Sequence, residues 1–398
     1  MAEQFDIVVS GGGIAGMAAT AGFAALGFSV ACIDPAPPIT DETAAGADTR
    51  STALMQPSVE LLRRVGLWPR LAAHAAPLQV MRIIEADEAG ARMRRDFDAA
   101  DLSDAPFGWN LPNWLIRREM EAHLAGSPGV SFRPGIATRA VFTREGEAQV
   151  SLSDGARLRA RLLIAADGRG SPVRRALGIG VRTTHYGQKA LAFSVTHPLP
   201  HGNISTEIHR SGGPFTLVPL PDREGVPASA IVWMERGPEA ERLAALPVAV
   251  FEAALLERSC GILGPLKLVT GRALWPMISQ IAERFQGQRS ALMAEAAHVV
   301  PPIGAQGLNM SLADLACLLN LAERDRFALG SAPMLAAYQR RRWPEVAARV
   351  AGIDALNRAS MLGARPLREA RAGALAAMFA LAPVRRALMR AGLGARQT

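Results

Sequence analysis

Two stretches of this 398-residue chain hold residue types spaced for cofactor chemistry. In SGGGIAGMAA, near the start, Gly11-x-Gly13-x-x-Gly16 separates the apolar run FDIVV from a helical one. Gly11 permits a tight turn, Gly13 lets backbone approach a pyrophosphate, and Gly16 lets helix and strand pack closely. The helix opening at Ile14 and Ala15 offers free N–H groups and positive dipole to that phosphate. Asp34 closes the next apolar run, FSVACID, about twenty residues on, the place of an acid that accepts hydrogen bonds from an adenosine ribose. The motif by itself suits FAD and a nicotinamide cofactor equally.

The second stretch is AEAAHVVPPIGAQGLNMSLAD, from Ala294 to Asp314. It sets a carboxylate, Glu295, and His298 ahead of a Pro301–Gly307 turn that leads into a helix. Gly304 and Gly307 allow close backbone approach, and the helix starting near Leu308 directs N–H groups at any negative charge placed before it. A third segment, LLIAADGRGSPVRR, is an apolar strand ending in Asp167-Gly168. It suits a loop that returns to a cofactor, and equally an ordinary Asp-Gly turn.

The elements that must carry these groups are legible in outline. The first forty residues read as strand, helix and strand. From 78 to 99 and from 181 to 272 the texture changes to short β-like runs broken by Pro and Gly, such as ALAFSVTHPLP and PASAIVWME. The expected architecture is α/β: a Rossmann-like domain of 1–77, 100–180 and 273–335, an inserted antiparallel β-sheet domain of 78–99 and 181–272, and a helical, basic region of 336–398. A cofactor domain interleaved with a sheet places a pocket at their junction.

Bulk composition removes several classes. With 49% apolar and 20% charged residues, the chain is globular rather than disordered. Cys32, Cys260 and Cys317 are far apart in apolar surroundings, so neither a disulfide framework nor a metal site is expected. No leader opens the chain and no apolar run reaches about eighteen residues, which points to a cytoplasmic protein without a membrane span. From Tyr338 onward there are twelve Arg against three acids, so the formal +8 belongs to the tail. Lys occurs only at 189 and 267, and no aromatic-interleaved basic patch supports nucleic-acid binding. The run ALAAMFALAP followed by Arg385, Arg386 and Arg390 is patterned as an interfacial helix, and equally as a helix packed on the body.

With GGGIAGMAA, AADGRGSPVR and AEAAHVVPPIGAQGLNMSLAD in that order, the chain resembles the flavoprotein aromatic hydroxylases of the p-hydroxybenzoate hydroxylase type. Within them it is most similar to the ubiquinone-biosynthesis hydroxylase family, a likeness carried further by DTRSTALMQPSVELLRRVGLW, YGQKALAFSVTHPLPHGN, GPFTLVPLPD and YQRRRWPEVAARVAGIDALNR. The resemblance implies an FAD-dependent monooxygenase that takes electrons from transiently docked NAD(P)H and oxygen from O2. It would hydroxylate the ring of a polyprenylated phenol through reduced flavin and a C4a-hydroperoxyflavin.

The same resemblance assigns roles. Pro302, Gly304, Ala305, Gln306 and Gly307 would lie against the isoalloxazine ring, with Leu308 and Asn309 opening the helix behind it. Arg50 would sit near the flavin and its phosphates, Arg117 would touch the cofactor, and Asp167 would lie in the loop returning to it. His298 and Pro302 are candidate pocket residues, and no catalytic base is named. The chain departs from the family at one place: Ala294-Glu295 stands where Gly-Asp is the pattern, with Glu295 reaching for a ribityl hydroxyl. If position 294 has φ > 0, Ala there costs about 1 kcal/mol or more and weakens FAD retention. Three readings follow: an active hydroxylase at an anionic membrane surface, served by the basic tail; an FAD-poor partner or scaffold among ubiquinone-biosynthesis proteins; or a hydroxylase of a soluble phenol.

Overall fold

In the computed structural model, which describes residues 2–87, 90–210 and 212–361, the opening strand Glu3–Ser10 lies inside a mostly parallel sheet. Val30–Asp34 and Arg157–Ala165 flank it, and Val130–Pro134 and Ser290–Leu292 extend the parallel pairing on either side. A hairpin, Thr138–Thr143 with Ala148–Leu152, branches antiparallel from Arg157–Ala165. Ile7, Val8, Val9 and Leu162 to Ala165 are fully buried. Strands covered on both faces read as unbroken apolar runs, which is how these are written. Met17 of the helix Ile14–Ala25, Ile116 and Met120 of Asn113–Ala125, and Leu315 and Leu318 of Gln306–Arg324 fill the same core.

A second, nine-stranded sheet stands beside it. Its order is His298–Val299, Ala273–Ala282, Val181–Thr196, Val226–Arg236, Pro214–Arg223, Ile204–His209, Val80–Asp87 and Gly90–Asp98, with Lys267–Leu268 attached to Val181–Thr196. Alternation along these strands gives two faces. Leu191, Phe193, Phe215, Ile231 and Trp233 point to one, where Phe251 and Leu255 of the helix Val248–Arg258 close over them. Ala190, Met234 and Met277 point to the other, together with Tyr186, Val232 and Trp275, and they pack on Ile303 of the cofactor domain.

The sheet takes in Ala273–Ala282, a segment that the sequence reading gave to the cofactor domain. It pairs antiparallel with Val181–Ala192 and carries the chain back to the first sheet. A small sheet of Ser51–Met55, Ala76–Leu78 and Gly108–Pro112 bridges the two bodies. The last described element, Ala332–Met361, is a helix of 30 residues with Pro344 inside it. Tyr338 Oη donates to Leu292 O of the first sheet, and Trp343 Nε1 donates to Ala282 O of the second, so this helix fastens both. The tail from 362 on, where the interfacial-helix pattern falls, lies outside the described residues.

Candidate active site

The glycine turn has the geometry its spacing predicts. Gly11 has φ +112°, and a Cβ built there would stand 2.2 Å from Ala166 O. A Cβ on Gly16 would stand 1.8 Å from Gly11 O, so strand and helix meet only because both residues lack one. Gly13 is different: a Cβ there would meet nothing within 4 Å, so its bareness leaves open space rather than a protein contact. The helix behind it begins without a side-chain cap, leaving its first N–H groups to another partner. These observations fit a pyrophosphate set against Gly13, Ile14 and Ala15. Asp34 accepts from Gly12 N at 2.6 Å through one oxygen and from Ala36 N at 2.9 Å through the other. Each carboxylate oxygen keeps a second acceptor site for a ribose hydroxyl.

Asp167 places its backbone, rather than its carboxylate, at this turn. Its N atom lies 2.7 Å from the Cβ that Gly11 lacks, while its side chain accepts from Ser171 Oγ at 2.5 Å and Val173 N at 3.1 Å. Burial raises this carboxyl above its ordinary range despite those bonds. Arg50 and Arg117 come together on one carboxylate. Buried Asp48 receives Arg50 Nε at 2.7 Å and Nη2 at 2.8 Å, Arg117 Nη2 at 3.1 Å and Asn113 Nδ2 at 3.0 Å. Arg50 also stacks 4.2 Å over the Trp275 ring, and the charge of Glu295 acts on it. Asn113 and Trp275 were absent from the sequence reading, and Asp48 entered it only as the acid of the Asp-x-Arg stretch, with no role assigned. Asp48 alone had a visible signal, its place two residues before Arg50.

The second stretch splits into two parts. In the turn, Gly304 has φ +63° and Ala305 φ +55°, and Ala305 opens the helix Gln306–Arg324 without a side-chain cap. Pro302 and Gly307 are exposed, and a Cβ on Gly307 would meet nothing within 4 Å. This is a backbone platform before an uncapped helix, suited to a planar ring that gains negative charge. Leu308 is half-buried and packs on the core. Gln306 Nε2 donates to Gly304 O and its Oε1 accepts from Arg349, so it shapes the turn.

Asn309 faces inward. Its Oδ1 accepts from Met55 N at 2.9 Å and Ser58 Oγ at 2.6 Å, and its Nδ2 donates to Ala53 O at 2.8 Å and Ala305 O at 2.7 Å. Two acceptor and two donor bonds saturate an amide, so Asn309 clamps the turn to Ser51–Met55 with no side-chain valence left for a cofactor. His298 is likewise committed: it is 2% exposed, and its Nε2 lies 2.6 Å from Asp314 Oδ2. Asp314, fully buried, also accepts from Arg342 Nε at 2.8 Å and Ala294 N at 3.3 Å. Burial alone would raise the Asp314 carboxyl, but the facing His298 and Arg342 hold it below the ordinary range. His298 thus belongs to a buried bracket beneath the site and not to a pocket wall.

Ala294 has φ +54°, the left-handed region that favours glycine. The residue is 5% exposed, so its methyl is packed within protein, while Glu295 is exposed. Ala294→Gly is expected to raise unfolding free energy by about 1 kcal/mol, read from the urea midpoint. A fall instead would mean that the methyl contributes more packing than the backbone strain costs.

On the other side of Ile303, in the second sheet, hereafter the lid, the bulge between His185 and Lys189 carries Gly187 at φ +67° and sets Tyr186 beside Ser279 and Asp354. Its hydroxyl donates to Asp354 Oδ1 at 2.7 Å and accepts from Ser279 Oγ at 2.8 Å. Burial pushes the Tyr186 phenol up to about 12, so it remains a proton donor at neutral pH. Two polar atoms near this face lack partners among the described residues: Trp275 Nε1 and Asn357 Oδ1. Asn357 Nδ2 is held by Gln188 Oε1, whose own amide donates to Gly212 O, which fixes the Asn357 orientation.

A turn suited to a dinucleotide, a backbone platform suited to a flat ring and an apolar sheet face packed on Ile303 are the parts of a flavin-dependent oxidoreductase. The family model described as FAD binding domain matches residues 4–351. Ubiquinone hydroxylase UbiL of Rhodospirillum rubrum is 32% identical over 98% of this chain and 89% of its own length. The 3-demethoxyubiquinol 3-hydroxylase of Escherichia coli is 27% identical over 88% and 89%. In fold, p-nitrophenol 4-monooxygenase PnpA of Pseudomonas putida aligns over 100% of both chains with a TM-score of 0.81 at 18% identity. The chain belongs to the FAD-binding-domain family and, within it, to the hydroxylases of ubiquinone biosynthesis. Its cofactor is FAD.

Proposed function

We propose that this protein hydroxylates the ring of a polyprenylated phenol, using electrons from NAD(P)H and oxygen from O2, at an anionic membrane surface. The observation that carries the reading is the apolar cluster of Ala190, Val232, Met234 and Met277 packed on Ile303, which makes the wall beside the ring platform hydrocarbon and thioether, the lining that a lipid-tailed ring requires. When bound, FAD supplies the two-electron chemistry that activates O2. The chain's own residues do the rest. Gly13, Ile14 and Ala15 bind the pyrophosphate, Asp34 the ribose, and the start of Gln306–Arg324 stabilises negative charge at the ring. Arg50 and Arg117, neutralised in part by Asp48, border the phosphates, and Glu295 faces the ribityl chain. Tyr186 holds a proton at Oη between the apolar face and Asp354.

Among the described residues no helix is long and apolar enough to cross a membrane. Attachment therefore falls to the arginines of the tail and to other proteins of ubiquinone biosynthesis. The test is direct. The purified protein should carry near-stoichiometric flavin absorbance, oxidise NAD(P)H in the presence of a farnesyl-substituted phenol, and release the ring-hydroxylated product. Ending the chain at Ala370 should reduce sedimentation with phosphatidylserine vesicles. A colourless protein that takes up no FAD would return the chain to the scaffold reading, favoured by the left-handed Ala294. Turnover of 4-nitrophenol but not of the farnesylated compound would make the substrate a soluble phenol.

A further inference from the structure

The lid residue Trp275 has no role in cofactor holding by the cradle or platform, yet its surroundings are built. Its indole lies between the apolar cluster of Ala190, Met234 and Met277 and the Arg50 guanidinium stacked 4.2 Å above it. Arg50 is itself fixed by two bonds to Asp48, so the ring is clamped in one orientation. In that orientation Nε1 is buried and meets no acceptor among the described residues. A buried N–H without a partner is costly, and an oxygen of a bound ligand is one group that would complete it. Ala190, Val232, Met234, Met277 and Ile303 are hydrocarbon or thioether, and the Tyr186 hydroxyl beside them is engaged by Asp354 and Ser279, so this N–H stands as an uncommitted donor on an otherwise apolar face. Asn357 Oδ1 is buried and also unpartnered, while its Nδ2 donates to Gln188 Oε1, two residues along the strand from Ala190, the register neighbour of Trp275.

We infer that Trp275 is the specificity-determining residue of the substrate side: its indole N–H donates to an oxygen on the aromatic ring of the substrate and thereby sets which edge of the ring faces the platform. The inference rests on the hydroxylase reading above and deepens it. An apolar face gives affinity for a prenyl chain without fixing the ring, because hydrophobic contact is not directional. One donor at a fixed point supplies the missing direction. It selects rings bearing a phenol or methoxy oxygen over bare hydrocarbon, since a ligand lacking the oxygen leaves the N–H unpaired.

The experiment uses holoenzyme with two probes, a farnesylphenol and the corresponding farnesylbenzene, each titrated by its perturbation of the flavin absorbance. Trp275→Phe keeps a ring beneath Arg50 and deletes the donor. The variant is expected to bind farnesylphenol roughly tenfold more weakly than wild type, to bind farnesylbenzene unchanged, and to keep the wild-type affinity for FAD, measured separately by flavin fluorescence. Equal losses for both probes would reduce the indole to a space-filler and overturn the inference. So would a loss confined to FAD affinity, which would assign the N–H to the cofactor, or no change in any of the three constants. Wild-type holoenzyme that binds neither probe would instead overturn the hydroxylase reading itself, a result that differs from all of these.

Discussion

Gly16→Ala should cost the protein its FAD. The added methyl would need the space of Gly11 O, 1.8 Å from its ideal position, and that oxygen belongs to the turn against which the pyrophosphate lies. Backbone has to move, at a cost of about 3 kcal/mol, and a displacement of that size in the bound state lowers FAD affinity roughly a hundredfold. Gly13→Ala is the control that separates folding from binding. Gly13 has φ −68° and open space around it, so alanine there should leave the unfolding midpoint near wild type while still obstructing the phosphate. Flavin retained by both variants would mean that the pyrophosphate lies elsewhere.

Asp314→Ala has the largest expected effect on stability. The carboxylate takes Arg342, His298 and the N–H of Ala294, joining the long C-terminal helix to the segment that carries Glu295. Removing it leaves Arg342 buried with a reduced set of partners and should destabilise the fold by about 3–5 kcal/mol, read by urea unfolding at neutral pH. The pH dependence has a definite sign. A carboxyl held below its unfolded value contributes stability that is complete above an unfolded pKa of about 4, and is lost as pH falls through the lower folded value. The gap between wild type and Asp314→Ala should therefore be widest near neutrality and close in acid. A gap that widened on acidification would contradict the assignment of Asp314 as the ionised partner.

The parts of the site that could be read in the sequence are those whose chemistry is local. Gly11, Gly13, Gly16 and Asp34 lie within one βαβ unit, where spacing alone determines who faces whom. The Pro301–Gly307 turn was legible for the same reason. Asn309 and His298 were expected at the cofactor because they flank that turn, yet their partners are remote: Asn309 answers Met55 and Ala53, and His298 answers a helix acid. Asp314 carries no mark that separates it from a solvated helix acid until the fold buries it. The end of the lid was misplaced at 272 because ALWPMISQIA reads as a strand for either sheet, and only its nine register pairs with Val181–Ala192 decide. Trp275 and Asp48 became visible as a pair only when Arg50 joined them.

The condition attached to Ala294 can now be judged. Position 294 does have φ > 0, so the strain is real, but its methyl is enclosed by protein and the carboxylate beside it remains exposed. The departure therefore acts through backbone energy of about 1 kcal/mol, borne by the fold, and not through a lost carboxylate.

The long helix that fastens both sheets is described as far as Met361, and its last described turns lie on the lid: Asn357 bonds Gln188, Asp354 bonds Tyr186, and Arg358 lies over the Tyr186 ring. These bonds bring the last described turns of the helix to the face that we propose for the substrate. Loosening this one helix would therefore register at once in the strand end at Leu292 and at the Tyr186 bulge.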